Sequence, residues 1–216
     1  DAKGKLTALA EGEVVVRATA QFGTDDAYAD VTIRVEELVT GNIVPNAVVE
    51  FGYYDGEGNW VALTGNDGSG DKTEFNLGNV GSVTLKNVPT DKYIAKIKTP
   101  YPAHYLATDE VEKEFEVVKG EANEVVLKLE LKMVLLTFDV IDAETKAPLA
   151  NTTVTITSAD GNTLTGKTDE NGFVSFGKVP ANTYEYYASK TPTGYTAPAK
   201  ESVNLDEATG DVHRTI

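Results

Sequence analysis

The chain contains two histidines, His104 and His213, and histidine is the side chain most often used for acid–base catalysis and metal binding near neutral pH. They lie far apart in the sequence, and neither has companions at the spacing of a zinc site. The sequence has no G-x-S-x-G, no H-E-x-x-H and no phosphate-cradling glycine loop. It therefore predicts surface or loop histidines, no cofactor, no bound metal and no enzyme site within these residues.

Acidic side chains gather in two predicted turns and are the weak candidates for calcium binding. Asp55 and Glu57 lie in one hairpin together with Asn59, and Asp67 and Asp71 lie in a longer polar loop. Calcium requires six or more converging oxygen atoms, and neither stretch has the D-x-D-x-D-G spacing of a known calcium loop. Asp, Asn and Gly are also the residues that ordinary hairpin turns use. The turn interpretation is therefore favoured over a calcium site.

Aromatic residues form the third set of candidates, as possible contacts to a glycan or a protein partner. Tyr54 and Trp60, the only tryptophan, flank one predicted hairpin, and Tyr101 and Tyr105 lie in a proline-rich loop. Exposed rings of this kind stack on sugars or anchor a protein partner. Cross-strand pairing across the hairpin would explain Tyr54 and Trp60 without a ligand. Tyr53 shares a face with the apolar residues before it, which predicts a core position.

The overall composition predicts a folded, acidic protein of two or three small domains. There are 216 residues, 41% of them hydrophobic, and 19 Lys plus Arg against 34 Asp plus Glu give a net charge of −15. This charge repels nucleic acids and anionic lipid surfaces, so a nucleic-acid partner is not expected. No apolar run approaches the ~20 residues needed to cross a bilayer, so membrane insertion is not expected either. The absence of cysteine excludes disulfides without deciding the compartment.

A repeated segment organises the chain. Residues 169–184 read as a turn, an alternating strand, a Val-Pro turn and the start of another strand at Tyr184, and residues 81–93 repeat this order up to Tyr93. Short alternating strands separated by Gly, Asn and Asp continue along the whole chain, and no segment of useful length has a helical period. The predicted fold class is all-β, with tandem Ig-like or prealbumin-like β-sandwiches, each with its own core.

The N-terminal segment resembles another module. Residues 1–20 read D-A-K-G-K-L-T-A-L-A-E-G-E-V-V-V-R-A-T-A, and Val31, Ile33 and Val35 alternate in a later strand. These features resemble the C-terminal half of bacterial immunoglobulin-like group 2 domains, which implies that residues 1–37 are part of such a domain with its first strands upstream of Asp1. The alternative, which the sequence leaves open, is that Val31–Val35 form the first strand of the next domain.

The last part of the chain resembles a known surface module. The motifs D-A-E-T-K-A-P-L-A-N at residues 142–151, T-D-E-N-G at 168–172, V-P-A-N-T-Y at 179–184 and T-P-T-G-Y at 191–195 occur in the order and spacing of the collagen-adhesin B-type (Cna B) family. The resemblance covers nearly all of residues 133–216 and, more weakly, residues 38–132. It implies a prealbumin-like sandwich, and such domains serve mainly as stalk, spacer or pilin modules on the surfaces of Gram-positive cells.

The same resemblance implies that one specific reaction should be considered. The family forms an autocatalytic isopeptide bond between a first-strand Lys and a late-strand Asn, assisted by a buried Glu whose apolar environment keeps it protonated. In residues 133–216 the Lys position falls on Val140 and the Glu position on Ala188. In the preceding repeat, the positions fall near Val35 or Val39 and near Lys96 or Ile97, again without a Glu. We therefore predict no isopeptide bond in either repeat.

These observations favour a non-enzymatic stalk or spacer region of a secreted, adhesin-like bacterial cell-surface protein, with sandwiches at residues 38–132 and 133–216. One alternative is a recognition module for a polysaccharide or a host matrix protein, or for another cell-surface protein. A second alternative is a set of accessory modules of a polysaccharide-degrading enzyme or cellulosomal protein. An exposed pair of Tyr54 and Trp60 would favour recognition, and burial of the pair would favour the spacer.

Overall fold

The structure, a computed structural model, describes residues 28–216. In this range the regular structure is β-strand apart from a short 3-10 helix at Gly78–Val80, so the predicted all-β class is confirmed. No helix among the described residues has the length and apolar character to span a membrane. Of the predicted immunoglobulin-like segment at residues 1–37, residues 1–27 lie outside the described residues.

The first sandwich contains the strands β1 to β11. One sheet has the order β5-β4-β7-β1-β11-β9, and the facing sheet has the order β10-β8-β2-β3, with β6 paired to β2. The strands in chain order are β1 Tyr28–Glu37, β2 Val48–Tyr54, β3 Trp60–Ala62, β4 Gly65–Asn66, β5 Asp71–Lys72, β6 Phe75–Asn76, β7 Ser82–Pro89, β8 Lys92–Ile97, β9 Tyr105–Ala107, β10 Glu112–Glu116 and β11 Asn123–Leu131.

The second sandwich contains the strands β12 to β18. The two sheets have the orders β15-β12-β18 and β14-β13-β16-β17, which match the central orders β7-β1-β11 and β3-β2-β8-β10 of the first sandwich. The strands are β12 Met133–Asp139, β13 Thr153–Ser158, β14 Thr163–Lys167, β15 Phe173–Pro180, β16 Thr183–Lys190, β17 Glu201–Asn204 and β18 Val212–Thr215.

Strand β1 belongs to the first sandwich. It runs parallel to β11 and antiparallel to β7, and its alternate residues Val31, Ile33 and Val35 are fully buried in the core of that sandwich. The predicted boundary after residue 37 would separate β1 from the strands with which it pairs. Strand β1 is an interior strand of its sheet, between β7 and β11, so a sandwich beginning at Leu38 would lack it. This pairing is the alternative that the sequence left open.

The repeated segments owe their likeness to a shared set of contacts. Tyr93 donates a hydrogen bond from its hydroxyl to the Pro89 carbonyl at 3.0 Å, and Tyr184 donates one to the Pro180 carbonyl at the same distance. Each ring thus closes its own Val-Pro turn while it packs into the core. Burial is the largest cause that raises the pKa of both phenols, and nearby aspartates add to it.

The glycine of each repeated segment is fixed by its backbone and its surroundings. Gly81 has φ +64° and Gly172 has φ +73°, values that other residues rarely adopt. A Cβ on Gly172 would lie 2.5 Å from the Val140 carbonyl oxygen, and one on Gly81 would lie 2.8 Å from the Ile43 Cβ. The two glycine carbonyls accept equivalent bonds, from Val35 N at 3.0 Å and from Val140 N at 2.8 Å. Val35 and Val140 are therefore equivalent positions.

Each sandwich buries its own apolar cluster. In the first, the Phe51 ring packs edge-on against Tyr93 at 5.7 Å between centroids, and in the second, Phe138 lies 5.0 Å from Tyr186 and 5.8 Å from Phe176. Phe51 and Phe138 are 3% and 0% exposed. Since the described core residues divide into these two clusters, each sandwich has its own apolar driving force for folding.

Candidate functional site

The predicted pair Tyr54 and Trp60 lies next to the turn of the β2–β3 hairpin. The two residues are directly opposite in the register, and their rings meet edge to face with centroids 5.3 Å apart. Tyr54 is 44% exposed, whereas Trp60 is only partly exposed. The hairpin thus pairs the rings as cross-strand neighbours, and it leaves mainly Tyr54 open to solvent.

Trp60 is held by a charged cluster on the outer face of the sheet. Its Nε1 donates to the Glu50 carboxylate at 3.0 Å, and Lys96 Nζ lies 3.9 Å from the centre of the indole. The same carboxylate lies 3.7 Å from Lys96 Nζ and 3.5 Å from Lys98 Nζ. The indole therefore has its N–H and one face already occupied by protein groups, which reduces the ring area free to stack on a sugar.

Glu50 organises this cluster, and the sequence reasoning did not single it out. Glu50 is only 9% exposed although it is acidic. It lies opposite Lys96 in the register of β2 and β8. In the sequence it is an acid in a strand of apolar residues. The available signal was its alternation with Val49 and Phe51, which puts its side chain on the outer face of β2.

Tyr54 and Tyr101 lie near Glu112, next to the cluster around Glu50. The Tyr54 hydroxyl donates to the Glu112 carboxylate at 2.7 Å, and this bond is the largest cause that raises the pKa of the phenol. A groove of about 390 Å³ is lined by Tyr101, Glu112, Glu50 and Lys96, among other residues. Three of the four predicted aromatic residues therefore border one face of the first sandwich.

Tyr105 does not join that face. It begins β9, in the opposite sheet, and its ring is partly buried against the first core. Burial, followed by the negative charges of Glu37 and Asp160, raises its pKa. Its surroundings include a residue of the second sandwich, so Tyr105 lies near the junction between the sandwiches.

The expectation that Tyr53 lies in the core is wrong. Tyr53 is 45% exposed, whereas Phe51, on the same face of β2, is only 3% exposed. Tyr53 lies where β2 runs out beyond the packed layers, and its ring lines a cavity of about 510 Å³ together with Tyr54, Lys92, Tyr93, Ile94, Glu114, Phe115 and Glu116. The alternation of a strand predicts which face a side chain takes but not where the opposing layer ends.

The acidic turns have their carboxylates engaged within the turns. Asp55 accepts bonds from the backbone N–H groups of Glu57 at 2.9 Å and Asn59 at 2.8 Å. Asp67 accepts from the Ser69 hydroxyl at 2.7 Å and from Lys72 Nζ at 3.0 Å. These bonds lower the pKa of Asp67 to about 2, and the bond from the Ser69 hydroxyl is the largest cause.

The other acidic loop residue, Asp71, accepts from Asn66 Nδ2 at 2.8 Å. No group of three or more His, Cys, Asp or Glu side chains that could hold a metal occurs within residues 28–216. The carboxylates of both turns thus bond within their own loops, and the absence of a calcium site stays a prediction.

The two histidines make different contacts. His213 lies on β18, where its ring nitrogens face the Thr137 hydroxyl at 2.9 Å and the Asp139 carboxylate at 3.0 Å. The His104 ring, in the loop before β9, faces the Asp206 carboxylate of the second sandwich. His104 therefore lies at the junction between the sandwiches, whereas His213 lies on a strand of the second sandwich.

The junction between the sandwiches is one residue long. Strand β11 ends at Leu131 and β12 begins at Met133, so Lys132 alone connects them. Its N–H donates to the His104 carbonyl at 2.7 Å, and its carbonyl accepts from Ala181 N at 2.7 Å. Lys132 Nζ also donates to the Asp206 carbonyl. The connecting residue is thus bonded to both sandwiches.

His104 is held in an uncommon backbone conformation at this junction. Its φ is +76°, in the left-handed region that costs energy for a residue with a Cβ. The carbonyl of His104 bonds to Lys132, and its ring bonds to Asp206, so two contacts to the junction accompany this conformation. The loop therefore presents both its backbone and its side chain to the second sandwich.

The family positions for an isopeptide bond are filled by apolar side chains. Val140 and Ala188 are each 3% exposed, and both line a cavity of about 610 Å³ that also includes Ile216. Ile216 forms backbone bonds to both neighbours of Val140, to Asp139 and Ile141. A lysine nucleophile and a protonated carboxyl acid are both missing from this pair of positions. The absence of the cross-link stays a prediction.

The equivalent positions of the first sandwich are Val35 and Ile97. Val35, which makes the same backbone bonds as Val140, is fully buried, whereas Val39 lies in a turn and is 81% exposed. The equivalence of Tyr93 and Tyr184 places Ile97, which is 5% exposed, at the position of Ala188. Both positions are apolar, as in the second sandwich.

Residues 136–215 match the family model SpaA, described as a prealbumin-like fold domain. This range lies within the second sandwich, and the match confirms the resemblance of this part of the chain to prealbumin-like, Cna B-type domains. No curated protein matches the chain.

Among solved structures, the chain is similar to the Bacillus anthracis TIE protein, with 23% identity and a TM-score of 0.57 over 88% of this chain and 33% of that chain. A streptococcal ancillary pilin aligns with 15% identity and a TM-score of 0.42, covering 89% of this chain and 63% of that chain. GBS52, the minor pilin of Streptococcus agalactiae, aligns with 16% identity and a TM-score of 0.39 over 87% and 94%. The chain thus spans about a third of the TIE protein, and that likeness supports the fold.

Proposed function

We propose that this chain is a structural spacer in a cell-surface protein of a Gram-positive bacterium. Its work is to hold a binding or catalytic region away from the cell wall. The observation that carries the proposal is the junction at Lys132, where a single residue connects two independent cores and is bonded to both. A flexible linker would let the two sandwiches fold back on each other, whereas a bonded one-residue junction restricts their relative motion.

The contacts at the junction come from both sandwiches. The His104 loop supplies a carbonyl and a ring, and the second sandwich supplies the Asp206 carboxylate and the Ala181 N–H. His104 and Asp206 are 33% and 23% exposed at the side chain, so the pair is partly shielded from solvent. Shielded hydrogen bonds of this kind are screened less by salt than surface ion pairs are. The match of residues 136–215 to a prealbumin-like domain family also supports the proposal.

The proposal is tested by display on a bacterial surface. A fusion would place a head domain of known ligand at one end of residues 28–216 and a wall anchor at the other. The control replaces residues 28–216 with a Gly/Ser linker of equal residue number, which behaves as a random coil. We expect the natural segment to capture more ligand-coated beads at equal surface expression. Equal capture by the two fusions would contradict the spacer function.

A recognition function is the second candidate, and the exposure of Tyr54 favours it. Tyr54 is 44% exposed, and its hydroxyl bonds to Glu112, which lines a groove together with Tyr101. A binding screen against polysaccharides and matrix proteins, repeated with Tyr54→Ala and Trp60→Ala, tests this candidate. Saturable binding that either substitution abolishes would establish recognition. Absence of binding to every probe would leave the spacer as the supported function.

A further inference from the structure

Strand β10, Glu112–Glu116, forms one edge of its sheet. The order β10-β8-β2-β3 puts it at the end, and no strand within residues 28–216 pairs with its outer side. A free edge presents unpaired backbone N–H and C=O groups, which can add a strand from another chain. The edge is also open to solvent, since four of its five residues are exposed and Phe115 is partly buried.

The hydrogen-bond pattern shows which residues face that free edge. Val111 accepts a bond from Ile97 N at 2.8 Å, and Val117 N donates to Asp91 at 2.8 Å, so these opposed pairs are hydrogen-bonded pairs. In antiparallel pairing, bonded and non-bonded positions alternate. Residues 113 and 115 therefore bond to β8, and residues 112, 114 and 116 direct their backbone N–H and C=O groups outward.

Those three outward positions are all glutamates. Glu112, Glu114 and Glu116 share the solvent face of the sheet, since Glu112 lies opposite Lys96, whose side chain is on that face with Glu50. The Glu112 carboxylate accepts a hydrogen bond from the Tyr54 hydroxyl. Glu114 and Glu116 form no ion pair within the described part of the chain. Glu116 lies across from Lys92 in the register, yet this pair is not in ion-pair contact.

The charges decide which partner the edge can accept. A second copy of β10 added at this edge would bring glutamates next to glutamates, and like charges on neighbouring strands are destabilising. A strand with Lys or Arg at every second residue would instead place each cation beside a carboxylate. The charge of −15 on the whole chain adds a long-range attraction to such a cationic partner.

The surface next to the edge also suits cationic side chains. The cavity of about 510 Å³ beside Glu114 and Glu116 is bordered by Tyr53 and Tyr54, whose residues are 45% and 44% exposed. The stem of a long Lys or Arg side chain can pack on a tyrosine ring, and its charge gains from the ring face. Lys92 lines the same cavity, and its positive charge opposes the binding of a cationic side chain there.

We propose that the free edge of β10 binds an extended cationic peptide segment of a partner protein by strand addition, with Lys or Arg at alternate positions facing Glu112, Glu114 and Glu116. The backbone of the segment pairs with the outward N–H and C=O groups, and its cations meet the glutamates. This interaction surface goes beyond the spacer function. Strand β17 of the second sandwich has the equivalent place but the sequence Glu-Ser-Val-Asn, so it lacks the row of acids and serves as an internal control.

The test measures binding of a fluorescent peptide in which lysine alternates with threonine, by anisotropy at low salt. The variant Glu112→Gln/Glu114→Gln/Glu116→Gln removes the charges and keeps the backbone, while Ser202→Lys changes the charge of the control edge on β17. We expect saturable binding that weakens roughly tenfold or more in the triple variant, falls as salt rises and is unchanged in Ser202→Lys. A peptide of alternating glutamate and threonine should not bind.

A second peptide separates strand addition from plain electrostatic attraction. It carries N-methyl groups on the amides of one edge, which blocks backbone pairing and keeps every charge. We expect it to bind several-fold more weakly than its parent. Equal binding of the two peptides, equal binding to the triple variant, or no binding at low salt would each overturn the proposal. Amide NMR spectra of the triple variant verify that it is folded, since all three substituted residues are exposed.

Discussion

The ring of His104, in the first sandwich, bonds to the carboxylate of Asp206, in the second. Lys132 itself donates from Nζ to the Asp206 carbonyl and from its N–H to the His104 carbonyl. One loop of each sandwich is thus tied to the other and to the link between them. A junction of this kind restricts the relative motion of the two domains, as the proposed spacer function requires.

The first prediction concerns the independence of the two cores. Phe138→Ala removes a fully buried ring that packs on Phe176 and Tyr186, and a change of this type costs about 3–5 kcal/mol. We expect the second sandwich to unfold at a lower temperature while the first retains its amide NMR signals. Phe51→Ala is the matched control and should produce the reverse pattern. Loss of both sandwiches in a single transition with either variant would show that the cores are not independent.

The second prediction concerns stability at alkaline pH. Burial, then the bond to Glu201, raises the pKa of Tyr186 from its usual value of 10 to about 12. Between these values the unfolded chain has released the proton and the folded chain retains it, so stability is complete below pH 10 and falls as pH rises toward 12. Chemical denaturation at several pH values should show this decline.

The variant Tyr186→Phe removes the ionisable group and should make the decline shallower, and Glu201→Gln should also reduce it, because it removes the negative charge beside the phenol. Stability that stays constant from pH 10 to 12, or an unaltered slope in Tyr186→Phe, would contradict the assignment.

The third prediction concerns covalent structure. Because Val140 and Ala188 replace the lysine and the glutamate, and Val35 and Ile97 stand at the equivalent places, neither sandwich should form an isopeptide bond. The intact mass of purified protein should equal that calculated from the sequence. A mass lower by one ammonia, together with a cross-linked peptide after digestion, would refute this prediction.

The fourth prediction concerns the environment of Trp60. Glu50→Ala removes the acceptor of the indole N–H and the partner of Lys96 and Lys98, and loss of a partner at a partly buried site costs about 1–3 kcal/mol. Since Trp60 is the only tryptophan, its emission should shift to the red in this variant. Glu114→Ala, on the same sheet face, is the control and should leave the spectrum unchanged. An unshifted spectrum in Glu50→Ala would mean that the carboxylate does not hold the indole.

Local patterns predicted much of this architecture. The all-β class and the equivalent repeated segments followed from period-two alternation and from the Gly, Val-Pro and Tyr positions, because each of these residues makes a contact within its own turn, such as Tyr184 with Pro180. The resemblance to the Cna B family located Val140 and Ala188 at its Lys and Glu positions, and the two residues line one cavity.

Long-range relationships could not be predicted from the same patterns. Alternation in β1 showed a half-buried strand but not that it pairs with β7 and β11, since any sheet with a free edge would satisfy it. His104 and Asp206 meet only because two domains are docked, and no local signal encodes that contact. Glu50 was missed for a related reason, because its partners Trp60 and Lys96 come from neighbouring strands.

The measurement that tests the spacer most directly is residual dipolar coupling by NMR on residues 28–216, with an alignment tensor fitted to each sandwich separately. A rigid junction predicts two tensors of equal magnitude and orientation. Asp206→Ala, which removes the partner of His104, should make them differ, while Asp211→Ala, an exposed acid of the same sandwich, should not. Tensors that already differ in the natural sequence would contradict the account, because the two sandwiches would then reorient independently about Lys132.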